Sequence, residues 1–380
     1  MSRLALCPSR VLTPSGFERD VCVEVENGLI AAVGPSVQCP PDVPRRDLKG
    51  NLLPGFIDLQ VNGGGGVLFN DAPTVAGIAA IATAHRRFGT TGLLPTLISD
   101  DLDVVARAIA AVDAAIMQGV PGVLGIHIEG PFLNTAKKGI HDATKFRTLD
   151  DAAIELLASL RNGRTLVTLA PELAPPGAIR ALVDRGVVVA AGHTAATYEQ
   201  LQAAFDEGLT GFTHLFNAMT QMDSRAPGAV GAALDDARSW CGLIVDGHHV
   251  HPVALRIALA AKGADSLALV TDAMPTVGSD RKDFILNGQR IVAADGRCTA
   301  PDGTLAGSDL DMAQAVRNAQ RMMGVDLATA ARMASAVPAA AMGFAPAPGA
   351  IRPGFAADFV LLDGDQHIVE TWISGEAQAA

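Results

Sequence analysis

The sequence predicts an α/β protein, a (β/α)8 TIM-like barrel with a small β-sandwich domain built from both chain ends. Two features support this prediction. Between residues 53 and 345, eight apolar runs alternate with amphipathic helical patterns, and eight strand–helix units over roughly 300 residues are typical of a barrel of parallel strands. The two ends of the chain instead show strand-like runs separated by tight-turn residues.

The barrel elements follow one another in a regular order, with two exceptions. The eight strands are predicted at Phe56–Asn62, Gly92–Leu97, Val123–Glu129, Thr165–Pro171, Val187–His193, Gly211–His214, Cys241–Asp246 and Leu267–Asp272. The clearest helices are predicted at Thr74–Phe88, Asp101–Met117, Pro175–Arg185 and Pro252–Lys262. Residues 217–240 show no clear helix, and residues 283–307 resemble an inserted hairpin with Asn-Gly and Asp-Gly turns.

The chain ends predict β-hairpins. Residues 21–25 and 29–33 flank Asn27-Gly28, a strong hairpin-turn signal, and residues 358–362 and 367–373 flank a second turn. A lone hairpin is marginally stable in water. We therefore expect the two ends to pair within one domain.

This pairing divides the chain in a particular way. The β-sandwich domain comprises residues 1–52 and 346–380, and the (β/α)8 barrel comprises residues 53–345. The Pro-rich segment Ala345–Pro348 is predicted to be the linker that returns the chain to the first domain. A doubly wound open sheet is the alternative fold, but no G-x-G-x-x-G follows an early strand.

Composition excludes several classes of partner. The net charge of −11 opposes binding to nucleic acid and to anionic membranes, and an aromatic content of 4% is low for a surface that stacks on bases. An anionic substrate would therefore need a local basic group. The five cysteines form no C-x-x-C pair, which fits a reducing compartment and predicts no thiolate metal cluster. With no signal-peptide pattern and no 18-residue apolar run, we expect a cytoplasmic protein.

Four polar residues each end one of the predicted strands: Glu129, His193, His214 and Asp272. Because active sites of such barrels lie at the carboxyl ends of the strands, these side chains are expected to meet. Two imidazoles and a carboxylate suit one divalent metal ion, Zn²⁺ first, with Fe²⁺ or Mn²⁺ as alternatives. Asp272 is then the expected general base, taking a proton from water and returning it to the leaving group. The alternative for any one of these residues alone is a hydrogen-bonded core or surface position.

The same strand ends carry a family resemblance. Eight motifs occur in order: PGFIDLQVNGGGG (54–66), GIHIEGPFLN with KKGIHD (125–142), APE (170–172), GHTAAT (192–197), THLFNAM (213–219), DGHHV (246–250), VTDAM (270–274) and GTLAGSDL (303–310). Together they resemble the N-acetylglucosamine-6-phosphate deacetylases of the amidohydrolase superfamily, over nearly the whole chain. This resemblance implies metal-dependent hydrolysis of the acetamide of N-acetyl-D-glucosamine 6-phosphate to D-glucosamine 6-phosphate and acetate, in amino-sugar catabolism and recycling.

The resemblance also implies individual roles at the reacting centre. Glu129, His193 and His214 match metal ligands, and Asp272 matches the catalytic base. His141 matches a residue that contacts the sugar and helps to polarise the acetyl carbonyl.

Further matches concern the rest of the substrate. His249 matches a substrate contact, and Asn217 and Ala218 match a phosphate-binding turn. Arg225 matches an arginine that reaches the neighbouring subunit's site and pairs with the 6-phosphate, which implies a homodimer. A guanidinium fork on an irregular loop suits phosphate binding by an acidic protein.

One position departs from the superfamily pattern. Many amidohydrolases place H-x-H at the end of the first strand and bind two metal ions, whereas this chain has Gln60-Val61-Asn62. Amides are poor Zn²⁺ ligands, so we expect one metal ion, and Gln60 is expected to contact the substrate or the attacking water. The sequence does not assign roles to His127, His248 or His251.

Two other functions compete with this prediction. The first is hydrolysis of a related compound, either another N-acetylated amino sugar phosphate, such as the galactosamine epimer, or an N-acyl amino acid. The second is a non-catalytic, metal-free barrel that serves as a binding module. Four polar residues at strand ends argue against the second, because an idle site has no physical need for them.

Overall fold

The computed structural model describes residues 3–344 and 349–379, and the predicted linker Ala345–Pro348 lies outside the described residues. Within these ranges eight parallel strands form the predicted barrel. They are β1 (Phe56–Val61), β2 (Thr90–Ile98), β3 (Gly125–Glu129), β4 (Arg164–Leu169), β5 (Val188–Ala191), β6 (Gly211–Phe212), β7 (Trp240–Ile244) and β8 (Leu267–Val270).

The strands pair in chain order, and the sheet closes between β8 and β1. The N–H of Asp272 donates to the carbonyl of Gln60 at 2.9 Å, and Val61 and Ala273 form a parallel bridge. Nearly all residues of the strands are buried, because helices cover the outside of the barrel and side chains fill its interior. This double burial explains why the strands show continuous apolar runs instead of an alternating pattern.

Helices alternate with the strands around the barrel. They are α1 (Val75–Arg86), α2 (Leu102–Met117), α3 (Asp151–Leu157), α4 (Ala178–Val183), α5 (Tyr198–Glu207), α6 (Gly228–Asp235), α7 (Pro252–Lys262), α8 (Met312–Met323), α9 (Leu327–Met333) and α10 (Ala336–Ala341). The four predicted helices are confirmed as α1, α2, α4 and α7. Of the helices in the described ranges, none combines the length and the apolar character that a membrane span needs.

The prediction that residues 217–240 hold no clear helix is wrong, because α6 lies within them. Its sequence, GAVGAALD, offers no polar face, and Gly228 through Ala233 are all buried. A short helix buried on every side has no amphipathic period by which the sequence could reveal it.

The predicted insertion at residues 283–307 is a four-stranded antiparallel sheet. Its strands are Asp283–Leu286, Gln289–Ala294, Arg297–Thr299 and Leu305–Ser308. Both expected turns are present, since Asn287-Gly288 and Asp295-Gly296 have positive φ at both residues, as a type I′ turn requires.

Both chain ends contribute to one separate sheet, as predicted. Its strands, in spatial order, are Glu376–Ala379, Ile368–Ile373, Phe359–Leu362, Arg45–Pro54, Arg3–Thr13, Val21–Glu26 and Leu29–Pro35, with Gly16–Glu18 paired to Arg3–Thr13. The two ends meet where Phe359–Leu362 runs antiparallel to Arg45–Pro54. Side chains from these strands, Trp372 and Phe359 among them, form an apolar cluster.

One pair of cysteines forms a disulfide, whereas the sequence predicted a reducing compartment in which disulfides are rare. Cys7 and Cys22 form a disulfide between neighbouring antiparallel strands, with their Cα atoms 4.3 Å apart. The strand register places these two residues opposite each other, and that register could not be known from cysteine spacing alone. Cys241 and Cys298 are buried free thiols.

His85 connects α1 to the segment that follows β1. Its ring is fully buried, and Nε2 lies 2.9 Å from the carbonyl oxygen of Gly63. Because a carbonyl only accepts, Nε2 carries the proton. Burial lowers the pKa of His85 from its ordinary 6.5 to about 4, so the ring is neutral in the folded protein.

His85 should therefore make the folded state sensitive to acid. A histidine with a lowered folded-state pKa binds more protons when unfolded, so its contribution to stability falls as the pH drops from about 6.5 towards 4. Relative to His85→Gln, whose side chain does not titrate, the wild type should lose about 2 kcal/mol of unfolding free energy between pH 7.5 and pH 5. Urea denaturation at both pH values measures this difference.

The exposed His367 provides the control. In His367→Gln, the change in unfolding free energy between pH 7.5 and pH 5 should be the same as in the wild type. A difference in unfolding free energy between wild type and His85→Gln that is the same at both pH values would contradict the prediction.

Candidate active site

A cavity of about 250 Å³ opens at the carboxyl ends of the barrel strands, lined by the four predicted centre residues Glu129, His193, His214 and Asp272. Glu129, His193 and His214 are at most 5% exposed, and Asp272 is half-buried. The residues come from β3 and from the segments after β5, β6 and β8. The barrel therefore brings together groups that are up to 143 positions apart in the sequence, from 129 to 272.

Three ligand atoms of this set converge. Nε2 of His193 and Nε2 of His214 lie 3.0 and 3.1 Å from Oε1 of Glu129, and the two nitrogens lie 3.1 Å from each other. In a tetrahedral zinc site with ligands about 2.0–2.1 Å from the metal, the ligand atoms are about 3.3 Å apart. The spacing and the donor set thus fit a divalent metal ion, and Glu129, His193 and His214 form a potential metal-binding cluster.

Three imidazoles surround the carboxylate of Glu129. Burial alone would raise the pKa of Glu129, but interactions with His141, His193 and His214 lower it well below its usual range. The group is therefore ionised, as a metal ligand must be.

A backbone carbonyl orients the ring of His193. Nδ1 lies 2.8 Å from the carbonyl oxygen of Lys137, so Nδ1 carries the proton and donates to it. The lone pair of Nε2 is then directed at the cluster, which is the usual arrangement of a metal-ligating histidine. Burial, followed by the nearby His141, lowers the pKa of His193 to about 4, which keeps the ring neutral.

Three of the centre residues have left-handed backbone conformations. The φ angles are 49° at His193, 34° at His214 and 53° at Asp272. In each case the strand ends two residues earlier than predicted, because this conformation leaves the extended ladder. Such conformations cost about 1 kcal/mol or more for a non-glycine residue and are typical of functional sites.

Two amide side chains hold Asp272. Nε2 of Gln60 donates to Oδ1 of Asp272 and to Oε2 of Glu129, both at 3.1 Å, and Nδ2 of Asn62 donates to Oδ1 of Asp272 at 2.7 Å. The structure thus places Gln60 between the metal-binding carboxylate and the predicted base. Burial, together with the charge of Glu129, raises the pKa of Asp272 to about 6.

His141 lines the cavity as a neutral hydrogen-bond donor. Its Nδ1 accepts from the backbone N–H of Ser99 at 3.3 Å and lies 2.8 Å from the Ser99 hydroxyl. Because a backbone N–H can only donate, Nδ1 carries no proton and Nε2 does. Nε2 lies 3.8 Å from Oε1 of Glu129, at the edge of the metal-binding cluster.

His249 lines the same cavity and is oriented by a carboxylate. Its Nδ1 lies 2.6 Å from Oδ2 of Asp246, whose other oxygen accepts the backbone N–H groups of His248 and His249. The buried dyad of Asp246 and His249 therefore holds the ring in one orientation, with Nε2 available to a ligand.

The structure places the predicted phosphate residues in different ways. Asn217 and Ala218 line the cavity in a turn in which Ala218 has a φ of 49°. Arg225 is exposed on the loop that precedes α6 and is not part of the cavity wall of its own chain.

The three histidines without an assigned role are structural within this chain. His127 is buried, with Nε2 2.7 Å from Oγ1 of Thr168, and burial lowers its pKa to about 4. Nε2 of His248 lies 2.8 Å from the carbonyl of Asp295 in the inserted sheet. His251 caps the start of α7, where Nδ1 accepts the N–H of Val253.

Sequence reasoning missed the residues that orient the site. Ser99, Asp246 and the carbonyl of Lys137 each fix an imidazole, and Asn62 holds the base. Asp246 and Asn62 end predicted strands within the motifs, so their position gave a signal. Lys137 also lies within a motif, but it acts through its backbone carbonyl, which any residue supplies, and Ser99 lies outside the motifs.

A closed (β/α)8 barrel with two imidazoles and a carboxylate at its strand ends, beside a second carboxylate, has the arrangement of a metal-assisted hydrolase. The sequence pattern of the amidohydrolase family matches residues 51–378, and the chain belongs to this family.

Individual relatives within this family are named for more specific activities. The chain is 42% identical to the N-acetylgalactosamine-6-phosphate deacetylase of Shewanella sp. (strain ANA-3), over 97% of this chain and 94% of that protein. It is 39% identical to the N-acetylglucosamine-6-phosphate deacetylase of Homo sapiens, over 87% of this chain and 84% of that protein. The crystal structure of N-acetylglucosamine-6-phosphate deacetylase from Pasteurella multocida covers the full length of both chains at 33% identity, with a TM-score of 0.95.

Proposed function

We propose that this protein hydrolyses the acetamide of N-acetyl-D-glucosamine 6-phosphate to D-glucosamine 6-phosphate and acetate. The observation that carries the proposal is one cavity that joins the metal-binding cluster, the carboxylate of Asp272 and the N–H donor of His141. This is the set of groups that amide hydrolysis requires. The proposal is further supported by relatives that bear the name of this activity at 33–39% identity.

Asp272 and His141 have separate roles in the proposed reaction. Asp272 removes a proton from water as the oxygen attacks the acetyl carbon. The N–H of His141 stabilises the negative charge that develops on the carbonyl oxygen. When the C–N bond breaks, Asp272 gives the proton to the departing amine. A pKa of about 6 suits both steps, because the group is ionised at neutral pH and still able to return a proton.

Glu129, His193 and His214 would hold one divalent metal ion, with Zn²⁺ the first expectation and Fe²⁺ or Mn²⁺ the alternatives. When bound, such an ion supplies positive charge that lowers the pKa of water and polarises the acetyl carbonyl. Gln60 keeps Glu129 and Asp272 in a fixed relation by donating to both.

The phosphate end of the substrate is assigned to a second group of residues. His249 and the turn at Asn217 and Ala218 lie in the cavity wall and are proposed to contact the sugar phosphate. Arg225 is proposed to pair with the 6-phosphate in the site of a partner subunit, which makes the working protein a homodimer. We also place the reaction in the cytoplasm, because charged phosphosugars do not cross a bilayer unaided.

Hydrolysis of the galactosamine epimer is the second candidate function. It is favoured by the 42% identity to a deacetylase named for N-acetylgalactosamine 6-phosphate. The two substrates differ only in the configuration of one hydroxyl group, so the same metal cluster, base and donor serve either of them.

The direct test measures acetate release by the purified protein from both phosphosugars and from unphosphorylated N-acetylglucosamine. We expect release from the phosphorylated sugars only, abolished by a chelator and restored by added Zn²⁺, Fe²⁺ or Mn²⁺. A kcat/KM about 10-fold higher for the glucosamine compound would support the first function, since a site built to bind one hydroxyl configuration discriminates at least this well. The reverse ratio would favour the second function, and no release from either sugar would overturn both.

Asp272→Asn tests the base. The amide keeps the shape of the side chain but cannot accept the proton, so kcat should fall by about 10²- to 10⁴-fold. Metal content, measured by mass spectrometry, should stay at the wild-type level. Asp265→Asn changes an exposed acid at the opposite end of β8 and should leave kcat within twofold of wild type. Retention of more than about a tenth of the activity in Asp272→Asn would contradict its role.

Arg225→Ala tests the phosphate contact. Loss of a hydrogen bond to a charged group costs about 1.5–3 kcal/mol, so KM for the phosphosugar should rise roughly 10- to 100-fold with little change in kcat. The matched control is Arg161→Ala, an exposed arginine near the start of β4 at the other end of the barrel. An unchanged KM in Arg225→Ala would sink the phosphate assignment while leaving the deacetylation in place.

A further inference from the structure

Glu172 lies just after β4, in the Ala-Pro-Glu segment, and the proposed reaction gives it no part. Its carboxylate accepts three hydrogen bonds from two other segments. Nδ2 of Asn134 and the N–H of Ala195 donate to Oε1 at 3.0 and 2.6 Å, and Oγ1 of Thr194 donates to Oε2 at 2.5 Å. A half-buried carboxylate thus ties the segments after β3, β4 and β5 together.

The segments after β3 and β5, which Glu172 ties together, also fix the position of His193. The N–H of Asn134 donates to the carbonyl of His193 at 3.0 Å, and the carbonyl of Lys137 accepts from Nδ1 of the His193 ring at 2.8 Å. Thr194 is the next residue in the chain. Hydrogen bonds therefore hold the backbone of His193, its ring, and the next residue, Thr194. Glu172 links the two segments that make these hydrogen bonds.

The same brace extends towards the second imidazole ligand. The N–H of Thr194 donates to the carbonyl of Ala218 at 3.1 Å, and Thr194 and Met219 form a parallel bridge. Ala218 follows His214 by four residues in the turn that lines the cavity. A displacement of Thr194 would thus be passed on to the segment that begins at His214.

An external brace is needed here for a physical reason. His193 has a left-handed backbone conformation with a φ of 49°, which costs about 1 kcal/mol or more and persists only when the surroundings impose it. Hydrogen bonds to an ionised carboxylate are about twice as strong as bonds between neutral groups. Three such bonds on one carboxylate can offset the strain at the neighbouring ligand.

We propose that Glu172 is a positioning residue of the metal centre. By tying the segments after β3 and β5 to each other, it holds Nε2 of His193 at the point where that atom meets Glu129 and His214. This inference rests on the proposed function, since it takes the cluster to be a metal site. A purely structural role for Glu172 would affect unfolding but not the metal affinity of folded protein.

The test compares the affinity of metal-free variants for Zn²⁺ by competition with a chromophoric chelator. Glu172→Ala should bind Zn²⁺ roughly 10- to 100-fold more weakly than wild type, the usual cost of removing a group that orients a metal ligand. Glu172→Gln should recover most of the affinity, because its Oε1 can still accept from Asn134 and Ala195. The visible absorption of the Co²⁺-loaded protein should change in Glu172→Ala and resemble wild type in Glu172→Gln, since it reports ligand geometry.

Glu207 provides a matched control. It is also a half-buried glutamate that accepts backbone N–H groups, those of Gly177 at 2.9 Å and Arg180 at 3.4 Å, but it lies outside the cavity wall. Glu207→Ala should leave the Zn²⁺ affinity within twofold of wild type. An equal loss of affinity in the two alanine variants would overturn the proposal.

The remaining outcomes are also decisive. A folded Glu172→Ala with wild-type affinity and an unchanged Co²⁺ spectrum would overturn the positioning role. If Glu172→Ala does not fold, Thr194→Val removes one of the three bonds and should weaken Zn²⁺ binding about 3- to 10-fold, and unchanged binding there would overturn the role as well. If the wild type binds neither Zn²⁺ nor Co²⁺, the metal centre itself is overturned. This result is distinct from equal affinities of wild type and Glu172→Ala, which would overturn only the positioning role.

Discussion

The buried charge of Glu129 is the constraint on which the polar centre of this barrel depends. Removing a carboxylate from water costs several kcal/mol unless other groups compensate for it. Here Gln60 donates to Oε2, and Nε2 of His193 and Nε2 of His214 face Oε1 at the spacing of ligands around a cation. These partners belong to β1 and to the ends of β5 and β6. The barrel must therefore close with all of these strands in register before the carboxylate has its partners.

The strand ends show how the fold meets this demand. Strands buried on both faces supply the apolar packing, while His193, His214 and Asp272 leave their strands through left-handed conformations that aim their side chains into one cavity. Each such turn has a cost in free energy, which rigid surroundings must offset. The hydrogen bonds from Asn134 to His193 and from Thr194 to Ala218 are part of those surroundings, so the loops above the barrel also hold the centre in place.

Much of this arrangement could be predicted because it is encoded locally. An apolar run that ends in one polar residue identifies both a strand and a candidate site residue, as at Glu129 and His193. The helix α6 could not be predicted because its first six residues are all small or apolar and buried. The disulfide between Cys7 and Cys22 depends on strand register, and the pairing of Ser99 with His141 depends on contact between two separate loops. Such features arise from the three-dimensional fold and leave no periodic trace in the sequence.

Two amides at the end of β1, Gln60 and Asn62, fix the carboxylate of Asp272, the proposed base, in a chain without the H-x-H pair. An imidazole at these positions would offer a lone pair to a metal ion, whereas the side chains of Gln60 and Asn62 direct N–H groups at Oδ1 of Asp272. A carboxylate only accepts, so this orientation of both amides is the one that hydrogen bonding permits. With one oxygen engaged twice, Asp272 has its second oxygen left to exchange a proton. Neutral donors offset burial less than a cation does, and burial accordingly raises the pKa of Asp272 to about 6. Amides in place of histidines at the end of β1 thus offer no nitrogen lone pair to a metal ion and instead hold the carboxylate of Asp272, the base of the proposed reaction.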